Sequence, residues 1–245
     1  MIVNRVYNWL QNNLRIEVHC LLCRGKALWK NPICEYCLKT CPTCDFACHQ
    51  CGLPLHDEDA SLCSRCTKKA PLFNQCLSGY LYEYPVRQII QAIKYKNRLE
   101  LISPITRQLS HTLQDFYLDT PWPEALIPIP LHNQRLQQRG YDQTLLLAKE
   151  LHRQLPAEAI TQLDVQLLQR IRATSPQQGL NAKARKKNIK HAFSLRSPIS
   201  YHHIALIDDV VTTGETVSEA TRLLKQAGIE KVDIWTLART PEPDY

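Results

Sequence analysis

Asp208 and Asp209 are adjacent carboxylates set between an apolar run, Ile204-Ala205-Leu206-Ile207, and a hydroxyl-and-glycine turn, Val210-Val211-Thr212-Thr213-Gly214-Glu215-Thr216. The apolar run reads as a buried parallel strand. Beyond the turn, Val217, Ala220, Leu223, Leu224 and Ala227 recur at spacings of three and four, which predicts an amphipathic helix. A strand, an acidic pair, a turn and a helix N-terminus, in that order, make an anion site. Thr212, Thr213, Gly214 and Thr216 offer backbone N–H and hydroxyl donors. The carboxylates suit two neighbouring sugar hydroxyls or a hydrated Mg²⁺. Adjacent carboxylates repel each other, so a structural role alone would not favour keeping both.

A second set of reactive residues lies near the other end. Of eleven cysteines, ten form C-x-x-C pairs: Cys20/Cys23, Cys34/Cys37, Cys41/Cys44, Cys48/Cys51 and Cys63/Cys66. Cys76 stands apart. The N-terminal residues show no secretory h-region or cleavage site, so the expected compartment is the cytoplasm, where such pairs mean metal rather than disulfides. Thiolate suits Zn²⁺, and four close a tetrahedral structural site. The plainest pairing puts Cys20, Cys23, Cys34 and Cys37 on one zinc and Cys48, Cys51, Cys63 and Cys66 on another. Cys41 and Cys44 are then surplus. They replace Cys48 and Cys51, supply an incomplete third site with His49 or His56, or act as a redox dithiol.

Charge is unevenly placed. The chain of 245 residues carries a formal +7, yet Val165 to Ile207 contains no Asp or Glu. That stretch holds Arg170, Arg172, Lys183, Arg185, Lys186, Lys187, Lys190 and Arg196, enough to attract a polyanion to a nearby anion site. Its plainer reading is a solvated lysine-rich helix. Hydrophobic content of 44% is that of a globular chain. No apolar run approaches the roughly 20 residues that span a bilayer.

The elements that must position these groups follow from the pattern. The chain divides near residue 72, with a cysteine-rich domain over 1–72 and an α/β domain over 73–245. Strands are expected at Leu77–Tyr82, Leu126–Pro130, Leu167–Ile171, the acidic run and Val232–Ala238. Helices are expected from Pro85, over Leu99–Phe116 and over Gln143–Leu151. Alternation of this kind implies a parallel, Rossmann-like sheet with helices on both faces, and ligands bind at the carboxyl ends of such strands.

The run Ile204–Thr216 resembles the signature of type I phosphoribosyltransferases, proteins that bind phosphoribosyl pyrophosphate (PRPP). A zinc ribbon ahead of that signature is similar to the ComF family of competence proteins, also labelled GntX-like. Cys48-His49-Gln50-Cys51-Gly52-Leu53-Pro54 resembles its C-x-x-C-G-L-P knuckle. Ile129-Pro130-Leu131-His132 and Arg139-Gly140-Tyr141-Asp142-Gln143 resemble its V-P-L-H and R-G-F-N-Q segments, and Gln177, Leu180, Arg185, Asn188 and Phe193 fit its loop. Asp142 departs from the usual Asn and brings a negative charge toward the pyrophosphate. The Cys41/Cys44 pair is extra.

The resemblance implies a phosphoribosyltransferase domain preceded by a double zinc ribbon, using Mg²⁺ with PRPP. Asp208 and Asp209 would hold the ribose, and the turn Val211, Thr212, Thr213, Gly214, Glu215 and Thr216 would grip the 5′-phosphate. Arg135 and Arg139, on a loop from Pro130 to Arg139, would meet the pyrophosphate. Arg185 or Lys186 would arrive as the basic loop, Arg172 to Lys190, closes. The family also implies natural transformation: single-stranded DNA as a ligand of Lys183, Arg185, Lys186, Lys187 and Lys190, with the ComF-operon helicase and a recombination mediator as partners. No residue is recognisable as the reader of a nucleobase. A non-catalytic adaptor that senses PRPP or nucleotide and binds single-stranded DNA through its basic loop and zinc ribbon therefore stays open beside the enzyme, and a redox or metal-handling protein is a third reading.

Overall fold

The computed structural model describes residues 17–28, 31–44, 46–55, 57–157, 159, 162–173, 189–196 and 198–241. The cysteine-rich segment opens on an antiparallel hairpin, β1 (Glu17–His19) and β2 (Lys26–Leu28), with Cys20 and Cys23 in its turn. Two short helices follow, α1 (Glu35–Lys39) and α2 (Ser64–Lys68). Each starts directly after a cysteine, Cys34 or Cys63, so the second cysteine of each pair comes back one turn later.

From β3 (Gln75–Leu81) the chain alternates: α3 (Val86–Tyr95), a 3₁₀ turn (Leu99–Leu101), α4 (Ile102–Phe116), β4 (Ala125–Pro128), α5 (Asn133–Arg139) and α6 (Gln143–Gln154). Then come β5 (Gln162–Leu163), β6 (Leu168–Arg170), β7 (Phe193–Leu195), β8 (His203–Val211), α7 (Glu215–Gln226) and β9 (Lys231–Arg239). Five strands form one wholly parallel sheet in the order β3-β9-β8-β4-β5.

Strand alternation sorts side chains onto two faces. Ala205 and Ile207 of β8, with Trp235 and Leu237 of β9, join a core with Ile89, Ile93, Leu109 and Leu151 from α3, α4 and α6. Ile204, Leu206, Val232 and Ile234 point the other way, onto Val217, Ala220 and Leu224 of α7. Cysteines from the N-terminal segment enter both cores: Cys20, Cys37 and Cys41 the first, Cys48, Cys51, Cys63 and Cys66 the second.

Two expectations change. The strand expected at Leu167–Ile171 lies outside the parallel sheet, because β6 pairs antiparallel with β7 as a separate ribbon at the two ends of the basic stretch. The loop expected over Pro130–Arg139 is in large part the helix α5. His132 caps it by accepting from the Gln134 N–H, and Gly140 ends it in the left-handed conformation at φ 79°. Among the described residues, no helix is long and apolar enough to cross a membrane.

Candidate functional site

A cavity of about 670 Å³ opens at the carboxyl ends of β8 and β4. Asp208, Asp209, Val211, Thr212, Gly214, Glu215, Thr216, Arg135 and Arg139 all line it, whereas Thr213 does not. Gly214 makes the turn possible. It sits at φ 79°, and no side chain caps α7, whose first turn faces the cavity through Glu215, Thr216 and Val217. The helix N-terminus is thus presented to whatever enters.

The two carboxylates have different surroundings. Asp209 is buried, and both its oxygens are engaged. Lys94 Nζ lies 2.8 Å from Oδ1, and Gln143 Nε2 donates to Oδ2 at 3.1 Å. Burial works to lower the Lys94 pKa, but the attraction and hydrogen bond of Asp209, with Asp208 and Tyr82 adding to them, offset it and the net shift is upward. Asp208 accepts the Asp209 backbone N–H at 2.8 Å and keeps some exposure to the cleft. Desolvation first, and then repulsion from Asp209, push its carboxyl up to about 7. A cation or a set of hydroxyl donors beside Asp208 would stabilise its ionised form.

The same cavity is lined by a group of cations. Because α5 is a helix, Arg135 and Arg139 fall at i and i+4 on one face. Burial, followed by repulsion from Arg139, lowers the Arg135 pKa. Arg139 lies over the Tyr95 ring, 5.2 Å from its centroid, and donates to Gln143 Oε1. An unbroken relay thus runs Arg139–Gln143–Asp209–Lys94. Arg170, at the end of β6, also lines the cavity, and desolvation brings its pKa down to about 10. A wall of desolvated guanidinium groups is suited to a polyanionic ligand.

Asp142 does not place a stray charge in the cleft. Its carboxylate caps α6 by accepting from Thr144 N at 2.9 Å and Leu145 N at 3.1 Å, and it also takes the Leu131 N–H at 3.1 Å. Aspartate serves here as an N-cap that also pins the segment leading into α5. Of the basic-loop residues, Lys183, Arg185, Lys186 and Lys187 lie outside the described residues, as do Gln177, Leu180 and Asn188. Lys190 is exposed just before β7, and its carbonyl accepts from Arg172 across the base of that loop.

The cysteines gather into two groups among the described residues: Cys20, Cys23, Cys34 and Cys37, and Cys48, Cys51, Cys63 and Cys66. Within each group the ligand atoms lie within 4.8 Å of one another. Cys23 and Cys34 Sγ are 3.7 Å apart, as are Cys51 and Cys63 Sγ. Tetrahedral zinc with Zn–S near 2.3 Å requires an S···S edge of about 3.8 Å. Backbone N–H groups already point at sulfur, Cys34 N to Cys20 at 3.3 Å and Gly25 N to Cys23 at 3.4 Å. Burial opposes ionisation of Cys20 and Cys48, yet hydrogen bonds from neighbouring backbone and thiols bring them down to about 6 and about 7. Cys37 and Cys66 are pushed up by burial and by their thiol neighbours. A tetrad that resists full ionisation alone fits a divalent cation. Cys41 and Cys44 belong to neither group. The Cys41 thiol is buried, raised to about 11 by desolvation, and donates to Cys37 O. Cys44 donates to Phe46 O at 3.1 Å.

Sequence reasoning missed Lys94, Arg170 as a lining residue, Tyr82 and Tyr95. Lys94 sits in the last turn of an amphipathic helix, where a solvated lysine is the ordinary reading. Nothing in its spacing links it to Asp209.

A family described as "Phosphoribosyl transferase domain" matches residues 143–244. Competence protein F of Haemophilus influenzae is 34% identical over 226 residues, covering 90% of this chain and 96% of its own. DNA utilization protein YhgH of Escherichia coli K12 is 35% identical at the same coverage. Competence protein ComFC of Bacillus subtilis is 29% identical over 69% of this chain and 66% of its own. Among solved structures, a hypoxanthine phosphoribosyltransferase of Staphylococcus aureus aligns at a TM-score of 0.35 and 16% identity, over 59% of this chain and 67% of its own, too slight a likeness to bear on substrate. With a third of its residues shared along nearly the full length of two such relatives, a parallel phosphoribosyltransferase sheet and paired Cys₄ groups, this chain belongs to the ComF family.

Proposed function

We propose that this protein binds PRPP with Mg²⁺ at the β8–α7 turn and acts on incoming single-stranded DNA during uptake, in the cytoplasm. The observation that carries the PRPP reading is the make-up of the cavity. The uncapped N-terminus of α7 with its turn residues, the acid Asp208 and the guanidinium groups of Arg135, Arg139 and Arg170 line one cleft. These are the groups that a 5′-phosphate, a ribose and a pyrophosphate call for. The DNA reading rests on the names of the relatives, competence protein and DNA utilization protein, and on the acid-free stretch from Val165 to Ile207.

If the protein is a catalyst, pyrophosphate leaves the anomeric carbon of ribose through a transition state with oxocarbenium character. Asp208 would hold Mg²⁺ or its waters, and the ion would supply charge neutralisation for the phosphates. The protein's part is positioning and charge stabilisation. Thr212, Gly214 and Thr216 hold the phosphate end, Asp208 accepts from a ribose hydroxyl, and Arg135 and Arg139 stabilise the leaving group. The contacts from Lys94 and Gln143 hold the Asp209 carboxyl in place. Arg185, from the basic loop, adds charge over the pyrophosphate when that loop covers the site. A sensor that binds PRPP without turning it over uses the same contacts. Neither Cys₄ group takes part in this chemistry; zinc there supplies folding energy.

Pyrophosphate release from PRPP in the presence of oligonucleotides and free bases separates the two modes. Release that depends on an acceptor and disappears in Asp208→Asn establishes a transferase, and saturable binding without release establishes a sensor. For DNA, affinity for a single-stranded oligonucleotide should fall steeply with salt and lose slope when Lys183, Arg185, Lys186 and Lys187 are replaced by alanine. A salt-independent affinity would contradict the DNA reading.

A further inference from the structure

The second Cys₄ group and the phosphate turn meet at one side chain. Arg239 ends β9 opposite Val211 and is 2% exposed. Its Nε donates to Cys51 O at 3.0 Å, inside the thiol knuckle. Its Nη1 donates to Val211 O at 3.1 Å and Thr240 O at 2.9 Å, and to Thr212 O as well. One planar guanidinium thus ties together the knuckle backbone, the start of the turn and the end of the sheet.

The knuckle has little freedom to drift from this bond. Gly52 sits at φ +66°, and a Cβ there would lie 2.6 Å from Cys76 O, so knuckle backbone rests directly on β3. On the turn side, Arg239 fixes the Thr212 carbonyl. Because the peptide is trans, the Thr213 N–H must then face the opposite way. The first thiol group shows no such wiring among the described residues. Among the described residues, the hydrogen bonds of Cys20, Cys23, Cys34 and Cys37 stay within residues 17–41.

We propose that Arg239 is a positioning residue that couples metal occupancy of Cys48, Cys51, Cys63 and Cys66 to anion binding at the Val211–Thr216 turn. The inference rests on the reading of that turn as a phosphate site. Metal holds Cys51 in place, Cys51 holds Arg239, and Arg239 holds the peptide planes of the turn. Linkage makes the effect mutual: whatever factor the metal adds to anion affinity, the anion adds to metal affinity. Lysine keeps the charge but lacks the planar fork, so it cannot span the same carbonyls.

The test uses the full chain loaded with two equivalents of zinc. Zinc release to excess chelator is followed with a metal indicator, with and without saturating Mg–PRPP, and with inorganic pyrophosphate as a second probe. PRPP affinity is measured in parallel. Wild type should release zinc in two phases, of which ligand slows one. Arg239→Lys should speed that same phase, leave the other unchanged, abolish the protection by ligand and weaken PRPP about tenfold, within the usual span of coupling between sites. Cys34→Ser should remove the other phase and leave protection intact. PRPP binding that is intact in wild type and unchanged in Arg239→Lys, with no protection of zinc, overturns the coupling alone. Equal acceleration of both phases in Arg239→Lys also overturns it, since that is general loosening. Wild type that binds neither PRPP nor pyrophosphate overturns the phosphate reading and the coupling together.

Discussion

Asp208→Asn should make the protein more stable and unable to hold its ligand, and both effects should follow one titration. The Asp208 carboxyl moves from an ordinary 3.8 to about 7 in the folded protein, through desolvation and the adjacent Asp209. The folded chain therefore holds this proton more tightly than the unfolded chain. Between pH ~4 and ~7 it binds more protons than the unfolded chain, so stability contributed by this group falls as pH rises across that window. Above pH 7 the full cost is present: at 1.36 kcal/mol per pH unit, roughly 4 kcal/mol. Exposure to the cleft reduces the realised figure to about 2 kcal/mol. Asparagine keeps the shape and removes the charge. Urea unfolding at pH 8 should show Asp208→Asn about 2 kcal/mol more stable than wild type, with the gap closing toward pH 4. Mg–PRPP affinity of wild type should fall about tenfold between pH 8 and pH 6, as the carboxylate is protonated, and should be absent in the variant at both. A variant less stable than wild type at pH 8, or a gap that widens as pH falls, would refute the reasoning. Sites that are destabilised when empty are the ordinary cost of function.

Other perturbations probe the supports of the site. Lys94→Met leaves Asp209 buried with Gln143 as its remaining partner, and should cost about 3–5 kcal/mol in denaturant unfolding. Adding Asp209→Asn to that variant should recover most of the loss, because no uncompensated charge is left. Asp142→Ala removes three accepted backbone N–H groups and should cost about 1–2 kcal/mol, whereas Asp142→Asn keeps the cap to Thr144 and Leu145, turns an amide NH2 toward the Leu131 N–H and should cost about 1 kcal/mol. Stripping zinc with a strong chelator should expose the thiols of both Cys₄ groups and open the segment up to Cys66 to limited proteolysis, with β8 and β9 retained by hydrogen exchange.

Much of this was legible in the sequence, for reasons that differ from element to element. The β8–α7 motif is local: apolar run, acids, glycine turn and helix periodicity lie within one stretch, so its geometry follows from its own residues. The Cys₄ pairings are nearly local, set by C-x-x-C doublets that each begin a short helix or a hairpin turn. Arg135 and Arg139 could be nominated from the family pattern, but α5 could not, because its signals are a histidine cap and a glycine stop around a polar run with no apolar face. β6 carries the apolar pattern of a sheet strand and is drawn instead to β7, across a loop whose pairing no periodicity announces. Lys94 and Arg239 were illegible because their roles come from partners 115 and 188 residues away in the chain, Asp209 and Cys51. A lone basic residue at an element's end reads as solvated until the sheet brings its partner to it.

The most direct test of the central claim is a calorimetric titration of PRPP with Mg²⁺ into the full chain, beside Asp208→Asn/Asp209→Asn. Saturable binding by wild type and none by the double variant is the predicted result. No binding by wild type at pH 8, where Asp208 is ionised, would contradict the claim and leave the turn a scaffold.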